Sequence, residues 1–334
     1  MKNIYLLIII SAFVNLLGCK KDSQTQPQKQ FQPQTHSLEK GLVNFSIDGE
    51  LLAADIDTIA NIITVIVPDS LNQHKLTATI TLASQATATI NNARTGINIT
   101  YDFTKPVVLT VSSADKLRST SFQVIIVTKS QYIGFDGPII AEKSLNKSYN
   151  YYFDQMDGST FQSVNCGPAV GTMAIKWADS TFAGTPADAR SAILPQGQLW
   201  TLTDIKIYFY ENHINAAIEP LTNIDSLVKV NIDNNRLVIF LIDIWGIPFN
   251  FIPYQHISKF YQSGDNGHFI LVKGYKQTGS TLYFEVYDPY SNGEYYSVLD
   301  HTQIKGKDRY YIDKDVNHAA EEIEPNALII TGKR

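Results

Sequence analysis

Cys166 stands in Gln162-Ser163-Val164-Asn165-Cys166-Gly167-Pro168-Ala169, immediately before apolar side chains at Val170, Met173, Ala174 and Trp177. That i, i+3, i+4, i+7 spacing describes one buried helix face, so Cys166 falls at or just before a helix start. Unpaired N–H groups and the positive end of the helix dipole favour a thiolate there and can hydrogen-bond an oxyanion. Pro168 suits the first turn, where a missing N–H costs nothing. Cys166 is therefore the candidate nucleophile. An inert buried thiol is the competing reading, because free cysteine is among the most buried residue types.

A thiol nucleophile needs a base, and the base needs an orienting group. Of the seven histidines, His268 is the candidate base: it follows the turn residues Asp265-Asn266-Gly267 and opens the apolar strand Phe269-Ile270-Leu271-Val272. Gln277-Thr278-Gly279-Ser280 reverses the chain, and a second apolar strand returns to Asp288-Pro289. A hairpin turning about Thr278, or between Thr278 and Gly279, sets Asp288 or Pro289 opposite His268. Opposed residues have Cβ atoms about 4.5 to 5.5 Å apart. Asp288 can then hold one imidazole tautomer and stabilise an imidazolium beside the thiolate. The backbone N–H of Cys166 supplies one oxyanion donor, and Gln155 or Gln162 supplies the other, with Gln155 preferred for its longer intervening loop.

These residues need elements to position them. Beyond the Gly/Pro-rich stretch at 134–138, the pattern predicts helices at 186–193, 201–213 and 224–230, a buried strand at 237–242, and a strand-rich C-terminal half. Before it, residues 41–130 carry about six short runs at roughly ten-residue spacing without a helical pattern, as a small antiparallel sandwich requires. Residues 20–40 are rich in Gln, Pro, Thr and Ser and read as a flexible tether. Lys2 followed by the apolar residues 4–14 reads as a signal peptide over 1–18. The expected division is thus 1–18, 19–40, 41–130 and 131–334.

Three resemblances sharpen this. Leu16-Leu17-Gly18-Cys19 resembles the bacterial lipobox, which implies cleavage before Cys19, acylation of its thiol, and anchoring to the cell envelope. The phrases Asp102-Phe103-Thr104-Lys105-Pro106-Val107 and Ser121-Phe122-Gln123-Val124 resemble closing strands of immunoglobulin-like modules in bacterial surface lipoproteins. Gln155-Met156-Asp157, Asn165-Cys166-Gly167-Pro168-Ala169, Gly267-His268-Phe269-Ile270 and Tyr287-Asp288-Pro289 resemble the motifs of C39-like cysteine peptidases, a papain-like branch. The last implies an α+β papain-like catalytic domain with Cys166 as nucleophile, His268 as base and acid, Asp288 as orienter and Gln155 as oxyanion donor.

With 334 residues, 18% charged and a net charge of -5, the chain has no basic field to hold a polyanion, so nucleic acid is not an expected partner. No HxH, HExxH or CxxC grouping occurs, so no metal or cofactor is expected. The expectation is a lipid-anchored cysteine peptidase acting on a peptide or protein through a thioester, with the sandwich as a spacer or adhesion module. Two alternatives stand beside it: a non-catalytic surface-binding lipoprotein, and an acyl or amide transferase using the same residues.

Overall fold

The computed structural model describes residues 41–264, 266–296, 299 and 302–334. The signal peptide, Cys19, the tether and the turn residue Asp265 lie outside the described residues. Nine strands form the N-terminal part: β1 (Leu42–Ile47), β2 (Asp55–Asp57), β3 (Ile62–Val67), β4 (Leu76–Leu82), β5 (Thr87–Ile90), β6 (Ala93–Arg94), β7 (Asn98–Tyr101), β8 (Val107–Ser112) and β9 (Ser119–Thr128). They make a three-stranded sheet, β1-β4-β7, and a six-stranded sheet, β2-β3-β9-β8-β5-β6. Alternation decides the faces. In β8, Val107, Leu109 and Val111 turn inward, and they share one core with Phe45, Ala78, Ile80, Phe103, Phe122 and Val124.

The expected purely antiparallel sandwich is corrected at one ladder. β3 and β9 run parallel, with Ile62 opposite Gln123 and Val67 opposite Thr128. Parallel neighbours cannot be joined by a tight hairpin, and here the whole of β4 to β8 forms the crossover.

β9 passes directly into α1 (Lys129–Ile133), whose first turn is closed by a capping box between Thr128 and Gln131. Ser130 donates from its N–H and its hydroxyl to the two carboxylate oxygens of Asp69, both at 3.0 Å. Gly134 ends the helix at φ +112, and a Cβ there would lie 2.8 Å from Ile257, so only glycine fits. The Gly/Pro stretch expected to mark a boundary is thus a packed junction.

The remaining elements are β10 (Ala141–Ser144), α2 (Cys166–Ala178), α3 (Pro186–Ala192), α4 (Leu202–Glu211), β11 (Ile214–Pro220), α5 (Ile224–Asp233), β12 (Leu237–Asp243), β13 (Gly267–Gln277), β14 (Leu282–Tyr287), β15 (Arg309–Ile312), α6 (Asp313–Glu321) and β16 (Asn326–Lys333). One antiparallel sheet runs β11-β16-β12-β13-β14-β15, and β10 joins the far end of β13. Six of the seven β12 residues are buried, because helices cover both sides of the sheet: α2 and α4 pack on β13, β16 and β11, and α5 and α6 on β12. The architecture is therefore an open, mixed α+β arrangement. The expected papain-like domain behind an all-β immunoglobulin-like sandwich is corrected to that description. Among the described residues no helix is long and apolar enough to cross a membrane.

Candidate functional site

Cys166 is the first residue of α2, where the periodicity predicts it. Asn165 caps the helix in position only. Its side chain is turned away, with Nδ2 donating to Ser159 Oγ at 3.1 Å and Oδ1 accepting from Arg190 Nε at 2.8 Å. Buried Arg190 also donates to the carbonyls of Val164 and Gln198, and its guanidinium lies 5.6 Å from the Trp200 ring. It thereby fixes the loop that delivers Cys166. Gly167 must be small, since a Cβ there would stand 2.8 Å from Trp200 Cβ.

His268 is the second residue of β13, opposite Ile242 of β12. The expected hairpin register is corrected. Gln277 faces Leu282 across a four-residue connection, and a bulge at Lys273 shifts the ladder between Val272 and Gly274, so that Leu271 faces Tyr287. Continued outward, this register sets residue 290 opposite His268, and Asp288 becomes the diagonal neighbour on the same face. Diagonal neighbours are about 7 Å apart, within the combined reach of an imidazole and a carboxylate. His268 Nε2 meets Asp288 Oδ1 at 2.7 Å. The other ring nitrogen is left for the Cys166 side, and His268 and Cys166 interact electrostatically.

Asp288 is fully buried and saturated. Oδ1 also accepts from the Tyr290 N–H at 2.9 Å, and Oδ2 accepts from the Tyr261 hydroxyl at 2.8 Å and from the Tyr311 hydroxyl. Its backbone is held as firmly: the N–H donates to Gly306 O, and the carbonyl accepts from the Tyr152 hydroxyl, both at 2.8 Å. Burial works against all three charges, yet the partners outweigh it. The His268 imidazole is pushed up to about 10, despite burial, by the charge and hydrogen bond of Asp288 and by Cys166. Burial alone would raise Asp288, but His268, the Tyr311 hydroxyl and the Tyr290 N–H hold it below the usual carboxylate range. Cys166 is likewise drawn below the ordinary thiol range, against burial, by His268 and by the N–H groups of Phe269 and Gly167. The arrangement suits a thiolate beside an imidazolium.

The two glutamines separate. Gln155 is buried, donates from Nε2 to the Gln162 carbonyl at 3.2 Å, and leaves Oε1 without a hydrogen-bond partner. Its N–H donates to Pro289 O at 2.7 Å, which ties it to the segment carrying Asp288. The Gln162 side chain instead accepts from the Gly158 N–H at 2.9 Å within its own loop. The sequence pattern points to neither Tyr261, Tyr311 nor Arg190, while Tyr152 stands in the aromatic run 151–153 without a hint of its bond to Asp288. Each is remote along the chain from the group it holds, and a buried tyrosine or arginine has no local pattern. Among the described residues no cluster of three or more His, Cys, Asp or Glu is placed to hold a metal ion.

Residues 42–126, about a quarter of the chain, match the family model of the N-terminal domain of SGBP, surface glycan-binding proteins. No curated protein matches the sequence. Among solved structures, one described as a C39-like peptidase from Bacillus anthracis is 12% identical, with 58% of this chain and 98% of that one covered at a TM-score of 0.37. One described as a glycoside hydrolase from Bacteroides thetaiotaomicron is 11% identical, with 86% and 88% covered at 0.24. A secreted protein from Bacteroides fragilis is 12% identical, with 28% and 98% covered at 0.22. At these TM-scores none supports an assignment, and the first two point to different activities.

The family match overturns several expectations. The N-terminal part is not a generic immunoglobulin-like spacer ahead of a C39-like domain, but matches a surface glycan-binding family. The reading of the chain as a cysteine peptidase, with the protease vocabulary that goes with it, gives way to the non-catalytic surface-binding alternative. The match gives no support to a peptide or protein substrate as the partner. The same match accords with an exported, surface-facing location. An assembled Cys166, His268 and Asp288 does not restore the peptidase reading, because a side-chain constellation on a fold is not by itself turnover.

Proposed function

We propose that this protein is a surface glycan-binding lipoprotein without peptidase turnover, held to the envelope through an acylated Cys19. The match of residues 42–126 to the SGBP N-terminal domain carries the reading. The chain divides, on this proposal, into a signal peptide over 1–18, a tether over 19–40, a glycan-protein-type β module over 41–130, and an α+β part over 131–334. Within the last, Cys166, His268 and Asp288, with Gln155 rather than Gln162 beside them, are the functional cluster: a stabilised thiolate and its counter-charges. Its chemistry is assigned as charge pairing, with no bond-breaking step.

The test is native affinity electrophoresis of the mature chain through gels containing soluble polysaccharides, followed by titration calorimetry with whichever glycan retards it. Retardation by at least one polysaccharide is expected. A chain that is retarded by none, whichever sugar is tried, would remove the reading. Metabolic labelling with a fatty acid, wild type against Cys19→Ala, checks the anchor.

A further inference from the structure

One end of the β module holds a cavity of about 750 Å³ whose walls come from both sheets. They are His74 before β4, Tyr101 at the end of β7, Asp102, Thr104 and Lys105 in the β7–β8 connection, and Asn91 in the turn between β5 and β6. That volume lies inside the range of about 300 to 1,000 Å³ usual for ligand sites. The walls are held by bonds of their own. Asn91 and Asn92 take φ +46 and +67, the left-handed pair of a two-residue hairpin turn. Asn91 Oδ1 accepts from the Val108 N–H at 3.0 Å, and its Nδ2 donates to the Tyr101 hydroxyl at 2.9 Å. Asp102 Oδ1 accepts from the Thr104 N–H at 2.9 Å and from the Thr104 hydroxyl at 2.7 Å, while Oδ2 stands 3.2 Å from His74 Nδ1. Phe103 is buried edge-on to the Tyr101 ring, with centroids 5.7 Å apart, and its N–H donates to Gln73 O at 2.9 Å.

We propose that this cavity is the glycan site of the chain and seats a neutral pyranose unit with adjacent free hydroxyls; the proposal rests on the glycan-binding reading and gives it a place and a ligand. Each sugar hydroxyl donates one hydrogen bond and accepts others, so adjacent hydroxyls need donors and acceptors side by side. The internal bonds leave that mixture. Tyr101 accepts from Asn91 and keeps its own O–H to donate, and Asn91 Nδ2 keeps a second hydrogen. Thr104 spends its proton on Asp102 and keeps its lone pairs, and an Nδ1–H held by Asp102 leaves His74 Nε2 as an acceptor. The Tyr101 ring and Pro106, also in the lining, supply apolar surface for the C–H side of the sugar. The Thr104 hydroxyl and N–H hold the Asp102 carboxyl down to about 2, so it is charged at neutral pH, and Lys105 balances it. A phosphate or sulfate brings acceptors only and meets that carboxylate, and the cations next along the chain, Lys75 and Arg94, lie outside the lining. Walls already fixed by their own bonds lose little ordering entropy when the ligand lands.

The test titrates the mature chain by calorimetry with soluble neutral glucans, mannans and galactans and with polygalacturonate, and compares amide exchange with and without the tightest binder. A neutral polysaccharide is expected to bind and to slow exchange at 72–75, 91–92 and 100–106. Tyr101→Ala/Asp102→Ala is expected to bind it about tenfold or more weaker, with unchanged circular dichroism. Tyr101→Phe, which loses only the hydroxyl, is expected to bind about threefold or more weaker. Should the double variant unfold, Tyr101→Phe and the exchange footprint decide. A footprint confined to 131–334, or variants that bind as wild type does, overturns the cavity and leaves the glycan-binding reading standing. Binding to polygalacturonate alone overturns the neutral ligand and with it the proposal. Binding to no polysaccharide overturns both the cavity and the reading it rests on.

Discussion

The Asp288 carboxylate receives four hydrogen bonds, from His268, Tyr261, Tyr311 and the Tyr290 N–H, with no exposure to solvent. Removing its charge leaves a buried imidazolium and two hydroxyls uncompensated, so Asp288→Asn is expected to cost roughly 3 kcal/mol in chemical denaturation. The sign of the pH dependence follows from the shifts. His268, raised to about 10, contributes stability that is complete below about 6.5 and is lost as pH climbs towards 10. Asp288, depressed, contributes stability present above about 3.9 and lost as pH falls through its lowered value. Cys166, also depressed, acts in the opposite sense to His268 at alkaline pH, so the comparison belongs in a Cys166→Ser background. There, stability is expected to fall as pH rises above about 6.5, and Asp288→Asn to flatten that fall; an unchanged slope would refute the pairing. The thiolate is checked separately. Iodoacetamide at pH 6 is expected to label wild-type Cys166 about tenfold or more faster than in His268→Ala, and equal rates would mean a neutral thiol. At this scale the cysteine at a helix start was legible from short-range periodicity, and the His268–Asp288 contact from a hairpin whose register was miscounted. The hydroxyls of Tyr261 and Tyr311 and the brace of Arg190 arrive through tertiary packing, which no local spacing encodes.

The long strand β13 shares one edge with two partners in succession. β12 pairs with its first residues up to Val272, and β10 pairs from Gly274 onward, so the bulge at Lys273 marks the exchange. The bulge turns Lys273 into a buried site where its ammonium meets Glu285 Oε1 at 2.5 Å, Asp308 Oδ1 at 2.7 Å and Asn146 Oδ1 at 2.7 Å. Gly274 permits the approach of β10, for a Cβ there would lie 2.5 Å from both the Lys143 carbonyl and Glu285 Oε2. Gly274→Ala is therefore expected to push β10 off the sheet and to raise amide exchange in Ala141–Ser144, while α2 keeps its protection. Unchanged exchange in β10 would show that the clash is absorbed elsewhere. The same bulge explains a limit of sequence reading. A hairpin register counted from the turn changes by one residue past any bulge, and here the bulge takes back one residue of the larger offset set by the four-residue connection. The diagonal geometry preserved the His268 to Asp288 contact, since a two-residue displacement keeps both side chains on one face. The helices at α3, α4 and α5 were legible from the sequence pattern, within a few residues at their ends. The parallel pairing of β3 with β9 was not, because it joins runs about sixty residues apart without a turn signal.

The β module and the α+β part meet through a short, specific joint. Asp69, in the turn after β3, receives both the N–H and the hydroxyl of Ser130 on α1, and the far end of α1 is clamped where the His256 N–H donates to Ile133 O at 2.9 Å. Helix α1 thus contacts the module on one side and the connection between β12 and β13 on the other. Asp69 is exposed, but it accepts an otherwise unpaired N–H of the first turn of α1 at the positive end of the helix dipole. Asp69→Ala and Ser130→Ala should therefore each destabilise the joint by about 1 kcal/mol, and the double variant by little more than either, since both remove the same contact. Amide exchange along Lys129–Ile133 should rise in all three variants, whereas iodoacetamide labelling of Cys166 should stay at the wild-type rate, because the Asp69 carboxylate bonds to Ser130, remote from the thiol. Additive losses would mean that the two residues act independently. A changed Cys166 rate would mean that the joint reaches the thiolate, and the two parts would then have to be treated as one cooperative unit.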